Sequence, residues 1–171
     1  MLALTVFLAL LLSAFSQNVE LKEYEIKAAF IYNIIMFSTW EDATFKAADD
    51  PFVIGVLEHD PFGNFIDELV RGEMVQGHPI VIKRVDRNAT ADVHVLFISD
   101  RVEIDILKFM ENINVPLTIG DQPGFAEKGG TIRLFTENNK MRFEVNLKVL
   151  EKSQVSLSSK LLRLAKICCN D

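Results

Sequence analysis

The chain has 171 residues, a formal net charge of −6 at neutral pH and 49% apolar residues. This length suits one domain with a substantial core, and the apolar content argues against disorder. Because an acidic chain repels polyanions, the composition argues against nucleic acid as a partner.

The first segment of the chain, residues 1–16, predicts export. Leu2 to Leu12 form an apolar run of the length found in signal peptides, and Ala14 and Ser16 place small side chains where a signal peptidase cuts. We therefore expect cleavage before Gln17 and a single domain over residues 17–171. The alternative is a membrane anchor, but a spanning helix needs roughly 20 apolar residues.

Helices and strands are predicted to alternate from residue 20 onward. A helix from Glu20 to Phe37 carries an apolar stripe wide enough to be mostly buried, formed by Ile26, Phe30, Ile34 and Phe37 with Ile31 and Ile35 beside them. The continuous apolar run Phe52–Leu57 is typical of a parallel strand that is covered on both faces. A short helix follows around Phe65. Further strands are predicted at residues 79–85, 93–98 and 115–119, and Asp100 is a candidate N-cap for a helix through Met110.

The last third of the chain breaks this alternation with a hairpin. Residues 131–136 and 141–147 flank Asn138-Asn139, a pair that suits a two-residue turn with positive φ. A hairpin closed by this turn is predicted to form four cross-strand pairs, each of opposite charges or of two apolar side chains. The pairs are Glu137 with Lys140, Leu134 with Phe143, Arg133 with Glu144, and Ile132 with Val145.

A closing helix is predicted from Ser156 or Ser158. Its apolar face would carry Leu157, Leu161, Leu164 and Cys168. The fold class is therefore α/β: a single-domain mixed sheet, largely parallel with a C-terminal antiparallel hairpin, flanked by helices.

Sequence motifs for catalysis are missing. The chain has no Gly-x-Ser-x-Gly elbow, no His-Glu-x-x-His and no P-loop, and its three histidines are scattered. Asp60-Pro61 suits a helix entry better than a catalytic role. The adjacent Cys168 and Cys169 are read as free thiols, with an intermolecular bridge or a metal site as alternatives. We predict no enzyme, no cofactor and no metal.

Two segments are candidates for binding a partner or a ligand. The glycine-rich loop from Gly120 to Gly130 follows a predicted strand, and its N–H groups at Gly124, Gly129 and Gly130 suit an anion, although glycines also serve tight turns. The second is the polar row Arg142, Glu144 and Asn146, which forms either a structural ion pair with Arg133 or an exposed recognition strip. The candidate site residues are Asp121, Gly124, Phe125, with Phe125 covering a ligand, and Arg142, Glu144 and Asn146.

These segments resemble the YfiR-like family of bacterial periplasmic proteins, in order and over nearly all of the mature chain. The resemblance is carried by Lys27–Asn33, by the Asp60–Gly63 turn, by the loop Gly120–Gly130, by the strand Arg142–Leu147 and by Ser158–Ala165.

The resemblance implies a non-enzymatic periplasmic regulator that represses an inner-membrane sensor, such as a diguanylate cyclase that controls cyclic di-GMP. It also implies a homodimer. Some members carry structural disulfides, which this chain cannot form without an earlier cysteine. The alternative function is that of a periplasmic small-ligand-binding protein, with its crevice above Gly120–Gly130.

Overall fold

A computed structural model describes residues 20–45, 47 and 49–169. The signal peptide predicted for residues 1–16 lies outside these described residues.

An eight-stranded mixed sheet forms the body of the domain, with the strand order β10-β8-β7-β6-β5-β2-β4-β3. Neighbouring strands are parallel from β4 through β2, β5 and β6 to β7, whereas β7 and β8 form an antiparallel hairpin. The predicted fold class is confirmed. The strands of this sheet are β2 (Phe52–Leu57), β3 (Met74–Val75), β4 (His78–Val85), β5 (Val95–Ile98), β6 (Leu117–Gly120), β7 (Ile132–Glu137), β8 (Lys140–Asn146) and β10 (Lys166–Cys168).

Helices flank the sheet, and a separate pair of short antiparallel strands joins the end of the first helix to the C-terminal region. Helix α1 covers residues 20–36. The other helices are α2 (Phe65–Leu69), α3 (Ile106–Met110), α4 (Leu147–Leu150) and α5 (Ser159–Leu164), with a 3-10 turn at Asp42–Thr44; the separate strands are β1 (Ser38–Trp40) and β9 (Val155–Leu157).

Helix α1 has the predicted bounds to within one residue, and its predicted apolar stripe is buried in part. Ile31, Ile34 and Ile35 are buried as predicted, whereas Ile26 and Phe37 are about half exposed. The face that packs on the sheet also carries Tyr24 and Lys27. Hydrophobicity alone does not define this face, because it includes a lysine whose charge has a partner inside the protein. The helix is consequently amphipathic rather than buried on most sides.

The hairpin has the predicted register. Arg133 pairs with Glu144, and the other three predicted pairs also form. Both turn residues have positive φ, 52° at Asn138 and 57° at Asn139. Asparagine tolerates this conformation better than most residues, so the turn sequence and the strand pairing agree.

Two predicted helix features are wrong. Asp100 does not cap α3; the cap is Asp105, whose side chain accepts a hydrogen bond from the Lys108 N–H. The closing helix is also shorter than predicted, because Leu157 lies in β9 and Cys168 lies in β10. Strand β10 pairs with β8, so it replaces the hairpin as the edge of the sheet.

The two faces of the sheet carry separate apolar clusters. One cluster lies beneath α1 and includes Ile31, Phe97 and Phe143. The other lies beneath α3 and the loop of residues 121–130, and it includes Ile106 and Phe125. This division places α1 and the glycine-rich loop on opposite faces, and both reach the carboxyl ends of β5 and β6.

Candidate functional site

A buried ion pair joins α1 to the carboxyl end of β6. The Lys27 Nζ atom lies 2.7 Å from Asp121 Oδ2, and the two side chains are only 6% and 2% exposed. Glu23, one turn earlier on α1, lies 2.8 Å from the same ammonium group. The sequence signal for this contact is a lysine on the helix face that packs on the sheet. Its partner, however, is 94 residues away.

The polar groups around this pair are bonded to one another. Asp121 Oδ1 accepts a 2.6 Å hydrogen bond from the backbone N–H of Asp100. The Tyr24 hydroxyl lies 3.2 Å from Ser99 Oγ and donates to Asp100 Oδ1 at the same distance. The Gln122 amide donates to the Ser99 and Val102 carbonyls. The carboxyl edge at β5 and β6 is therefore closed by side chains.

Burial and charge act together on the ionisable groups of this cluster. Burial raises the pKa of the Asp121 carboxyl, and the nearby Lys27 ammonium offsets only part of that effect. Burial disfavours the charged form of Lys27, but hydrogen bonds and the charges of Asp121 and Glu23 outweigh it and raise the lysine pKa. Burial also raises the pKa of the Tyr24 hydroxyl, which stays protonated and serves as a hydrogen-bond donor.

The glycine-rich loop encloses the ring of Phe125. This side chain is fully buried, so the prediction that it covers a ligand is wrong. A Cβ at Gly120 would lie 2.6 Å from the Phe125 ring, and one at Gly130 would overlap it. The N–H groups of Gly129 and Gly130 donate to carbonyls inside the loop, whereas Gly124 lies at its surface with φ of 74°. Packing thus accounts for Gly120 and Gly130.

The predicted polar row divides into an exposed and a buried part. Arg142 is exposed, whereas Glu144 is 1% exposed and lies 3.1 Å from Arg133 Nη1. The buried Asn146 amide donates to the Ala126 carbonyl at 2.8 Å. A recognition strip made of all three residues is therefore wrong. Alternation along β8 places these three side chains on one face of the strand. The loop of residues 121–130, however, covers that face at the carboxyl end of β8.

A groove lies at the opposite, amino edge of the sheet. It has a volume of about 940 Å³, and its lining includes Asp50, His94, Thr118 and Thr131. His94 Nδ1 accepts a 2.9 Å hydrogen bond from the Val53 N–H. Burial lowers the histidine pKa, and a hydrogen bond to the Thr44 backbone offsets only part of this effect. The ring is accordingly neutral at physiological pH.

Neither a metal centre nor a membrane span is found in the described ranges. No three His, Cys, Asp or Glu side chains of residues 20–45, 47 and 49–169 come together as metal ligands do. No helix in this part of the chain has the length and hydrophobicity needed to cross a membrane. Both cysteines are free thiols, and burial raises the pKa of Cys168 to about 12.

We expect the Lys27→Met substitution to lower the free energy of unfolding by about 3–5 kcal/mol, because it leaves Asp121 as an unpaired buried charge. The double variant Lys27→Met/Asp121→Asn should recover much of this loss, since asparagine still accepts the Asp100 N–H. Urea unfolding measures both effects. Lys22→Met, at an exposed position of the same helix, is the control and should change stability by no more than about 0.5 kcal/mol. A similarly small loss for Lys27→Met would contradict the role of the pair.

The sequence matches a known protein family over most of its length. No curated protein matches the chain. The sequence profile described as YfiR/HmsC-like matches residues 24–166. The matched range begins at Tyr24, includes Lys27 and Asp121, and ends at Lys166 in β10. It thus takes in the carboxyl-edge cluster, the glycine-rich loop and the hairpin. The chain belongs to the YfiR/HmsC-like family.

Proposed function

We propose that this protein is a non-enzymatic periplasmic regulator. It binds the periplasmic sensor region of an inner-membrane signalling protein and holds that protein inactive. The partner is a diguanylate cyclase, so that release of the regulator raises cyclic di-GMP. Membership of the YfiR/HmsC-like family supports the general role, because this is a family of periplasmic regulatory proteins.

The closed carboxyl edge of the sheet is the observation that carries the proposal. In open α/β sheets, ligands and reacting groups commonly lie in a crevice at this edge. Here the Lys27–Asp121 pair and the Gln122 amide fill that position with contacts inside the protein. Because this edge is filled, the exposed surface of the protein is the part that remains available to bind a partner.

A reconstituted cyclase assay tests the proposal. We expect the purified protein, added to a membrane diguanylate cyclase that has a periplasmic sensor region and comes from the same organism, to lower cyclic di-GMP production in a saturable manner. The matched control is the same cyclase without its periplasmic region, which should not respond. Unchanged activity of the intact cyclase at a large excess of the protein would contradict a repressor function.

Large apolar side chains on the surface support a second part of the proposal, a homodimer. Phe37 at the end of α1 and Leu164 at the end of α5 are both exposed. The two helices adjoin, because the Ser158 N–H donates to the Phe37 carbonyl at 3.2 Å. Exposed apolar groups of this size are common at protein contacts.

Sedimentation equilibrium should give a dimer for the natural chain and a monomer for Leu164→Ser.

Export completes the proposal, with the mature protein beginning at Gln17. Intact-mass measurement of protein from fractionated cells tests this, and we expect the processed chain in the periplasmic fraction. Recovery of a chain that retains Met1 would contradict cleavage.

The groove at the amino edge supports a second candidate function, a small-ligand-binding protein. The favouring observation is a buried Thr44 hydroxyl in the groove lining, which has no hydrogen-bond partner among the described residues. A ligand that binds the folded state raises its melting temperature by mass action. Thermal shifts across a panel of small periplasmic metabolites therefore distinguish this function from repression without a ligand.

A further inference from the structure

The strands at the C-terminal edge of the sheet place five side chains on one face. Arg133 pairs with Glu144 and Phe135 pairs with Arg142 across the hairpin, while Lys166 of β10 pairs with Glu144 from the other side. Directly paired residues on adjacent strands project from the same face. Three cations, one phenyl ring and a single carboxylate thus share this face. We call Arg133, Phe135, Arg142 and Lys166 the cationic face.

The reverse side of these strands belongs to the core, and the cationic face does not. Leu134 and Phe143 are buried in the cluster beneath α1, where the Phe143 ring meets Phe30. On the cationic side, the loop of residues 121–130 extends as far as Asn146, which donates to the Ala126 carbonyl. Beyond that contact Arg142 is exposed, and the Lys166 side chain is 68% exposed.

Phe135 is the apolar centre of the cationic face. It is half-buried and belongs to neither core cluster of the described residues. Its ring instead faces Arg133 Cζ at 5.1 Å and Lys166 Nζ at 5.9 Å. A phenyl ring held between cations outside the core offers an apolar contact in a positively charged setting.

The positive charge of this face is not balanced within the described part of the chain. The buried Glu144 carboxylate lies 3.1 Å from Arg133 and 3.7 Å from Lys166. Arg142 forms no ion pair with any described residue, and the exposed Glu137 lies opposite Lys140 in the hairpin register. Seven of the 18 basic residues but three of the 24 acidic residues fall within residues 140–171, in a chain of net charge −6. The basic residues are therefore concentrated here.

We infer that the cationic face is the surface that contacts the sensor, and that it binds an acidic segment of the sensor's periplasmic region. Carboxylates of that segment pair with Arg142, Lys166 and Arg133, and an apolar side chain beside them packs on Phe135. Charge complementarity favours this occupant. The inference rests on the proposed repression of a sensor.

Binding of the purified sensor region, measured by calorimetry at low and at high salt, tests this inference. We expect Arg142→Glu and Phe135→Ala each to weaken the complex at least about tenfold. The effect of Arg142→Glu should shrink as salt rises, whereas that of Phe135→Ala should persist. Arg142 is exposed and Phe135 lies outside the core, so thermal melts should confirm that both variants remain folded.

Lys83→Glu is the matched control, because it makes the same change of charge on β4, near the opposite edge of the sheet. Its affinity should stay within about twofold of the natural chain. Equal affinities for the natural chain and Arg142→Glu would overturn the inference while leaving sensor binding intact. A sensor region that does not bind the natural chain would overturn the proposed function, and this inference with it.

Vesicles of phosphatidylglycerol provide the second arm of the test. We expect no binding of the natural chain to them at physiological salt. Binding that Arg142→Glu abolishes would assign the cationic face to a membrane surface and overturn its assignment to an acidic segment of the sensor.

Discussion

The buried Lys27–Asp121 ion pair is the contact on which the arrangement of this domain depends. It joins the face of α1 that packs on the sheet to the first residue after β6, and Asp121 also holds the backbone of Asp100. A buried pair of this kind contributes little net stability relative to an apolar replacement, but losing one partner is costly. We therefore regard its main effect as specificity. It fixes the position of α1 along the sheet and the start of the loop of residues 121–130.

The loop that begins at Asp121 extends this constraint to the other face of the sheet. Phe125 fits between Gly120 and Gly130, where a Cβ at either glycine would collide with its ring. The same loop receives the Asn146 amide and so covers the carboxyl end of β8. It stops short of Arg142. The boundary between the buried and exposed parts of β8 thus follows from how far one packed loop reaches.

Local patterns predicted most of the sheet, and contacts distant in sequence explain most of the errors. The hairpin register could be predicted because the Asn138-Asn139 turn and all of the paired side chains lie in one short stretch, residues 132–145. The closing helix was predicted too long because leucines at helical spacing also occur in the three-residue strands β9 and β10, which are too short to show alternation. The partner of Lys27 and the cover over Glu144 come from other parts of the chain. Neither is visible in a local pattern.

Recognition rather than chemistry is the function that these features support together. The carboxyl edge of the sheet is closed, the YfiR/HmsC-like family is regulatory, and positive charge is concentrated at the C-terminal edge of an otherwise acidic domain. The groove at the amino edge is the structural feature that competes with this account. The two surfaces lie at separate parts of the sheet, so a binding footprint distinguishes them.

Hydrogen exchange of the protein alone and in complex with the sensor region tests this account most directly. It predicts slower amide exchange in the complex over residues 133–142 and around Lys166. Exchange around Val53 and His94, which line the groove, should be unchanged. Protection confined to the groove, with the hairpin exchanging as in the free protein, would contradict the account.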